Sequence, residues 1–102
     1  MDVYAVTATF PKSELFGLIS QMRRAAVSVV ANIIEGQARA SKNEFRHFLS
    51  VANGSLVEVE YYLELARDLQ YISAAEYEKL EQQRHQTGLL VGGLRKYLAN
   101  KS

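Results

Sequence analysis

The chain has 102 residues, 48% of them hydrophobic, with no cysteine, one proline (Pro11) and a formal net charge of +1 from twelve basic and eleven acidic side chains. That length supports one domain with a modest core. The composition excludes a disulfide framework, a thiolate zinc site and a disordered chain, and the balanced charge gives no global attraction to a polyanion.

Met1-Asp2-Val3 begins with an acid and shows no signal-peptide pattern, and the apolar runs are too short to span a bilayer. A cytoplasmic protein without membrane contact is expected. Residues 2–9 read as a short helix of about two turns. Phe10-Pro11-Lys12 ends it, because the residue before proline avoids the α region and proline suits the first turn of the next helix.

The second helix is predicted over 13–35. From Gly17 to Gly36 nothing breaks a helix, and Gln21, Arg24, Ser28, Asn32 and Glu35 recur at spacings of 3 and 4, forming one polar stripe. Leu15, Phe16, Leu18, Ile19, Met22, Ala26, Val27, Val29, Val30, Ile33 and Ile34 spread over most of the remaining circumference. A surface helix needs an apolar stripe of only a little over ~100°. This helix is therefore expected to pack on its own bundle and also on another chain.

Gly36 reads as the C′ residue ending the second helix, followed by a connection to Ala40. Ser41-Lys-Asn-Glu44 is a capping box for a third helix over 41–69, with a seam of Phe45, Leu49, Ala52, Leu56, Val59, Leu63 and Ala66. Gly54 interrupts that seam's neighbourhood, and close approach of another helix or simple tolerance explains it equally. Ser73-Ala-Ala-Glu76 caps a fourth helix over 73–99, whose seam of Tyr77, Leu80, Arg84, Thr87, Val91, Leu94 and Leu98 weakens at Arg84 and Thr87. The tail 99–102 is expected to fray. The fold class is all-α: a single-domain, up-down-up-down four-helix bundle with a short first helix, assembling into a ring-like homo-oligomer.

Glu44 and His47 form one Glu-x-x-His unit, whereas a carboxylate-bridged di-metal bundle uses two with two further glutamates. The pair also flanks the core seam, so a capped surface turn is the preferred reading, with no metal, cofactor or catalytic residue expected. The polar stripe is either an exposed face or an interface network, with Arg24 pairing to Glu58 or Glu35. Arg23 points into the apolar arc and is expected to find a carboxylate, within the chain or on another. In an antiparallel bundle one end collects Arg39, Lys42, Arg46, His47, Arg95, Lys96 and Lys101 against Glu35, Glu44 and Asp2. These charges complement helix dipoles, and in a ring they also form a basic rim that suits phosphate contacts with RNA or DNA.

Phe10-Pro11-Lys12, Gly17–Ser28 and Ala31-Asn-Ile-Ile-Glu-Gly36 resemble the 23S rRNA-intervening-sequence protein family of bacterial four-helix bundles. Ser41, Glu44-Phe45, Phe48-Leu49, Ala52, Gly54-Ser55-Leu56, Glu58 and Glu60 continue the match. The chain departs from the family in its short first helix, which lacks a tryptophan, and in Val30 where proline is common. The resemblance implies a non-enzymatic homopentamer. It also implies kinship with accessory factors of diversity-generating retroelements, which bind nucleic acid and a reverse transcriptase. The expected function is thus an oligomeric scaffold or adaptor acting through Arg39, Lys42, Arg46, Arg95, Lys96 and Lys101. Gln21, Arg23, Arg24, Asn32, Glu35 and Glu58 form its interface or polar network. A purely structural ring and a metal-dependent bundle enzyme are the alternatives.

Overall fold

A computed structural model describes residues 3–101, apart from the side chain of residue 101. Asp2 and the Lys101 side chain, both assigned above to the basic end, lie outside the described residues. These form four α-helices and no strand: α1 (Val3–Thr7), α2 (Leu18–Gln37), α3 (Lys42–Asp68) and α4 (Ala74–Lys101).

In α1, Val3 and Thr7 are buried one turn apart, and the Thr7 hydroxyl donates to the Val3 carbonyl at 2.7 Å. The helix ends at Thr7, before the expected end at Thr9, and its expected start at residue 2 lies outside the described residues. After Pro11 the chain makes a 3₁₀ turn at Lys12–Glu14. The α-helix then starts at Leu18, not Ser13, because Gly17 stands at φ −103°, ψ −109° and interrupts continuity. Leu15 and Phe16 consequently belong to the linker and not to the arc of α2, and Phe16 is 91% exposed.

Gly36 does not terminate α2 as a left-handed residue; it is buried inside the last turn, and no described glycine has positive φ. Its role is close packing. A Cβ there would lie 2.8 Å from a Phe45 ring carbon and 2.9 Å from the Phe48 Cβ. At Gly54 a Cβ meets nothing within 4 Å, so no neighbouring helix requires that glycine.

Both capping serines act as expected: Ser41 Oγ accepts from the Glu44 amide at 3.0 Å and Ser73 Oγ from the Glu76 amide at 3.0 Å. α3 closes in a Schellman arrangement, with Gln70 N–H donating to the Arg67 carbonyl and Tyr71 N–H to the Ala66 carbonyl, both at 2.9 Å. The left-handed position is filled by Gln70 at φ 62°. α4 stays helical to Lys101 instead of fraying at Ala99, held by Leu98, which is 7% exposed.

α3 is the central helix and packs against both α2 and α4. Ser28 pairs with Ser55 and Arg24 with Glu58, while Glu60 meets Arg84 and residues 43–50 lie beside residues 92–99, so the long helices alternate up and down. The molecule is a rod of 46 × 24 × 17 Å. Its core has two parts. One joins Val3 and Phe10 to Ile19, Met22, Leu63, Ile72 and Leu80, at the α3–α4 turn. The other joins Val29, Leu49, Leu56, Val91 and Leu98, with no residue from α1. The short α1 therefore fills the fourth corner of the bundle at one end only.

Candidate functional site

Three features of the surface stand out: a polar stripe and an apolar groove along α2, and a basic cleft at the end where that corner stays open. The first is the polar stripe of α2, which lies against α3. Arg24 Nη2 donates to Glu58 Oε2 at 2.7 Å, and Arg24 Nε and Nη2 also reach Gln21 Oε1 at 3.3 and 3.2 Å. The Glu58 carboxylate holds the Arg24 guanidinium above its ordinary pKa. Further along, Ser55 Oγ donates to Ser28 Oγ at 2.8 Å, and Asn32 Nδ2 donates to the Ser28 carbonyl at 2.8 Å and to Ser28 Oγ at 3.0 Å. Ser55 is buried, so this link is the polar register pin between the two helices. Glu35 stays outside the network and pairs with Arg39 one turn away.

Arg23 reaches across to α1. Among the described residues it has no carboxylate partner; its Nε donates to Thr7 Oγ1 at 2.9 Å, Nη2 reaches the Tyr4 carbonyl at 3.5 Å, and its guanidinium lies 4.8 Å from the Tyr4 ring centroid. A hydroxyl, a carbonyl and an aromatic face satisfy the half-buried cation, and they tie α1 to α2.

The second feature is apolar. Val27, Val30 and Ile34 recur at spacings of 3 and 4 and are 50%, 57% and 61% exposed. With Tyr4, Ala26 and Ala31 they line a groove of about 480 Å³ that contains no charged residue. Leu90 and Tyr97, seven residues apart on α4, are 76% and 56% exposed. Helical geometry sets them on the flank of α4 turned away from Gly92 and Ala99.

The third is basic. Of the cations assigned to this end, Arg46, Arg95 and Lys96 share a cleft between the first turns of α3 and the last turns of α4, with His47, Asn43, Ser50, Gly92 and Ala99. No carboxylate lines it, and among the described residues none of the three cations has an acidic partner. Arg46 Nη1 donates to Asn43 Oδ1 at 3.5 Å. Arg39 lies elsewhere: it pairs with Glu35 and covers the Phe48 ring at 5.0 Å. Lys42 is exposed on the first turn of α3 and does not line the cleft.

Glu44 is exposed and His47 sits against the Phe48 ring. Among the described residues no three His, Asp or Glu side chains come together as metal ligands, and no helix is long and apolar enough to cross a membrane. The sequence reading missed Arg84. Its side chain, 11% exposed, forks onto both Glu81 oxygens at 2.8 and 2.6 Å and reaches Glu60 Oε2 on α3 at 3.0 Å. Its place in the weak part of the α4 seam was the available signal.

Residues 1–93 match the sequence model of a family described as 23S rRNA-intervening sequence protein. Among solved structures, a protein of unknown function from the S23 ribosomal protein family of Bacteroides thetaiotaomicron, at 1.70 Å resolution, is similar. It superposes with a TM-score of 0.82 at 26% identity, over 93% of this chain and 86% of that one. No curated protein matches the chain.

Proposed function

The chain belongs to the 23S rRNA-intervening sequence protein family, and from that premise we propose that it is a non-enzymatic, self-associating scaffold whose basic end holds nucleic acid. The observation that carries this reading is the apolar face of α2, exposed beside the open bundle corner. Burying a valine or isoleucine side chain contributes roughly 1.5–3 kcal/mol, so three half-exposed ones on one ridge favour association. The occupant is a second copy of the chain. The groove carries no charged residue to repel an apolar face, and each copy also exposes Leu90 and Tyr97 on α4, so that two unlike faces can meet as a ring requires. The family resemblance makes a closed ring of five the expected assembly.

In a ring whose copies point the same way, the clefts of Arg46, Arg95 and Lys96 form one rim. Cations close together without carboxylates repel one another, and a phosphate backbone relieves that repulsion while releasing its own counterions. A nucleic-acid enzyme would reach the same rim through the bound strand. The test is fluorescence anisotropy with labelled RNA and DNA oligonucleotides over a salt series. Binding that weakens steeply with salt and disappears in Arg46→Ala/Arg95→Ala/Lys96→Ala supports the reading; undiminished binding by that variant contradicts it. A wild-type protein that binds neither oligonucleotide leaves the second reading, a ring with a structural role alone.

A further inference from the structure

We infer that the α3–α4 cleft is itself the phosphate-binding site, taking a phosphodiester of a single nucleic-acid strand, and that Gly92 keeps its floor open. This rests on the nucleic-acid reading above and narrows it from a charged end to one place.

The cleft's chemistry is one-sided. Arg46, Arg95 and Lys96 supply charged donors. The Asn43 side-chain oxygen faces Arg46, which leaves its amide N–H groups to donate. Ser50 donates its own proton to the Arg46 carbonyl at 3.2 Å, which fixes the cleft wall beside that arginine. Arginine forks without carboxylate partners suit phosphate oxygens. The cleft measures about 500 Å³, within the range of roughly 300–1,000 Å³ common for small-ligand pockets. It has room for a backbone unit bent inward from a flexible strand, whereas a rigid duplex can only lie across the rim.

Gly92 bears on the cleft floor: like Gly54, Gly88 and Gly93 it leaves an added Cβ in open space, but of these four Gly92 alone lines the cleft. It sits within α4, where glycine costs about 1 kcal/mol relative to alanine, and a Cβ there would meet no atom within 4 Å. Packing inside the chain therefore does not call for glycine. Gly92 lines the cleft, as do the small residues Ser50 and Ala99, and a longer side chain at 92 would project into the space a phosphate needs. No aromatic ring other than the His47 imidazole lines the cleft, so it offers little platform for stacking bases. Contact through the backbone alone predicts similar affinity for thymine and adenine homopolymers.

The experiment is anisotropy titration of labelled single-stranded oligonucleotides, with a duplex of equal length as comparison. Gly92→Leu keeps every charge and should melt no lower than wild type, yet weaken single-strand binding about tenfold, the size of one charge-assisted contact. Arg95→Ala should weaken it similarly. Arg39→Ala should change it less than twofold, because that guanidinium is already engaged outside the cleft. Arg46→Ala/Arg95→Ala should flatten the salt slope by about 1.4, at about 0.7 per cation on a single strand. Equal losses in Arg39→Ala and Arg95→Ala, or unchanged binding in folded Gly92→Leu, overturn the cleft while leaving a diffuse basic end intact. Tighter binding of the duplex than of the single strand also overturns it. Absence of any binding by the wild type removes the underlying reading as well.

Discussion

At Gly36 two effects of opposite sign compete. Alanine would gain about 1 kcal/mol of helix propensity, but its methyl would lie under 3 Å from the Phe45 ring and from Phe48 Cβ. Overpacking of that kind costs about 1–3 kcal/mol, and Phe48 Cβ cannot move without its backbone. Gly36→Ala should therefore lower the melting temperature. Gln70 has the opposite balance. It holds a left-handed conformation at φ 62°, where glycine is strain-free, so Gln70→Gly should raise stability by about 1 kcal/mol, or about 4–8 °C in a domain of this size. Thermal melts by circular dichroism check both. The two positions also show a limit of the sequence: a glycine that ends a helix and one that admits a phenylalanine occupy the same place in the chain. Only the neighbouring helix tells them apart. The contacts of Arg23 with Thr7 and Tyr4 were not legible for a related reason, since they depend on where a five-residue helix docks.

Individual helices were legible where local signals agree. The 4-and-3 spacing in α3 fixed its buried face, and both serine caps were readable from four residues each. Glu76 gives that capping a measurable pH dependence. It accepts from the Ser73 amide at 2.9 Å, and this bond, reinforced by the Ser73 hydroxyl, holds its carboxyl below the ordinary 4.5. The folded state then binds the proton less tightly than the unfolded one. The stabilisation is complete above about pH 4.5 and is lost as pH falls through the depressed folded value. The stability gap between wild type and Glu76→Gln should therefore narrow on acidification; acid titrations of the two proteins that stay parallel would refute it.

What joins the helices was less legible, because it depends on register between elements. Arg84 crosses from α4 to Glu60 on α3 while Glu81 holds its other side. Deleting one member of a buried ionic cluster costs about 3–5 kcal/mol, but Glu60 is 41% and Glu81 23% exposed at the side chain. Solvent screening reduces the expected loss for Arg84→Ala to about 2 kcal/mol. Arg84→Lys should recover less than half of it, since an ammonium cannot fork onto both Glu81 oxygens. Chemical denaturation with unchanged slope would measure both.

At the scale of the whole molecule, the radius of gyration of 14.9 Å exceeds the ~13 Å of a compact domain this long. The shape follows from three long helices with the fourth corner filled at one end. The wide apolar arc of α2 was readable directly, and it splits as the geometry requires. Ile19, Met22 and Val29 enter the core, whereas Val27, Val30 and Ile34 remain outside it. The basic cleft was only half readable: the sequence put Arg39 and Lys42 together with Arg46, Arg95 and Lys96, but helix rotation assigns only the last three to one wall-to-wall site.

Self-association through α2 is read out by absolute mass in solution, from light scattering after size exclusion across a dilution series. A mass several times that of the 11.5 kDa chain, independent of concentration and reduced in Val30→Asp/Ile34→Asp, is the predicted result. A wild-type protein that elutes and scatters as a monomer at every concentration would contradict self-association through α2.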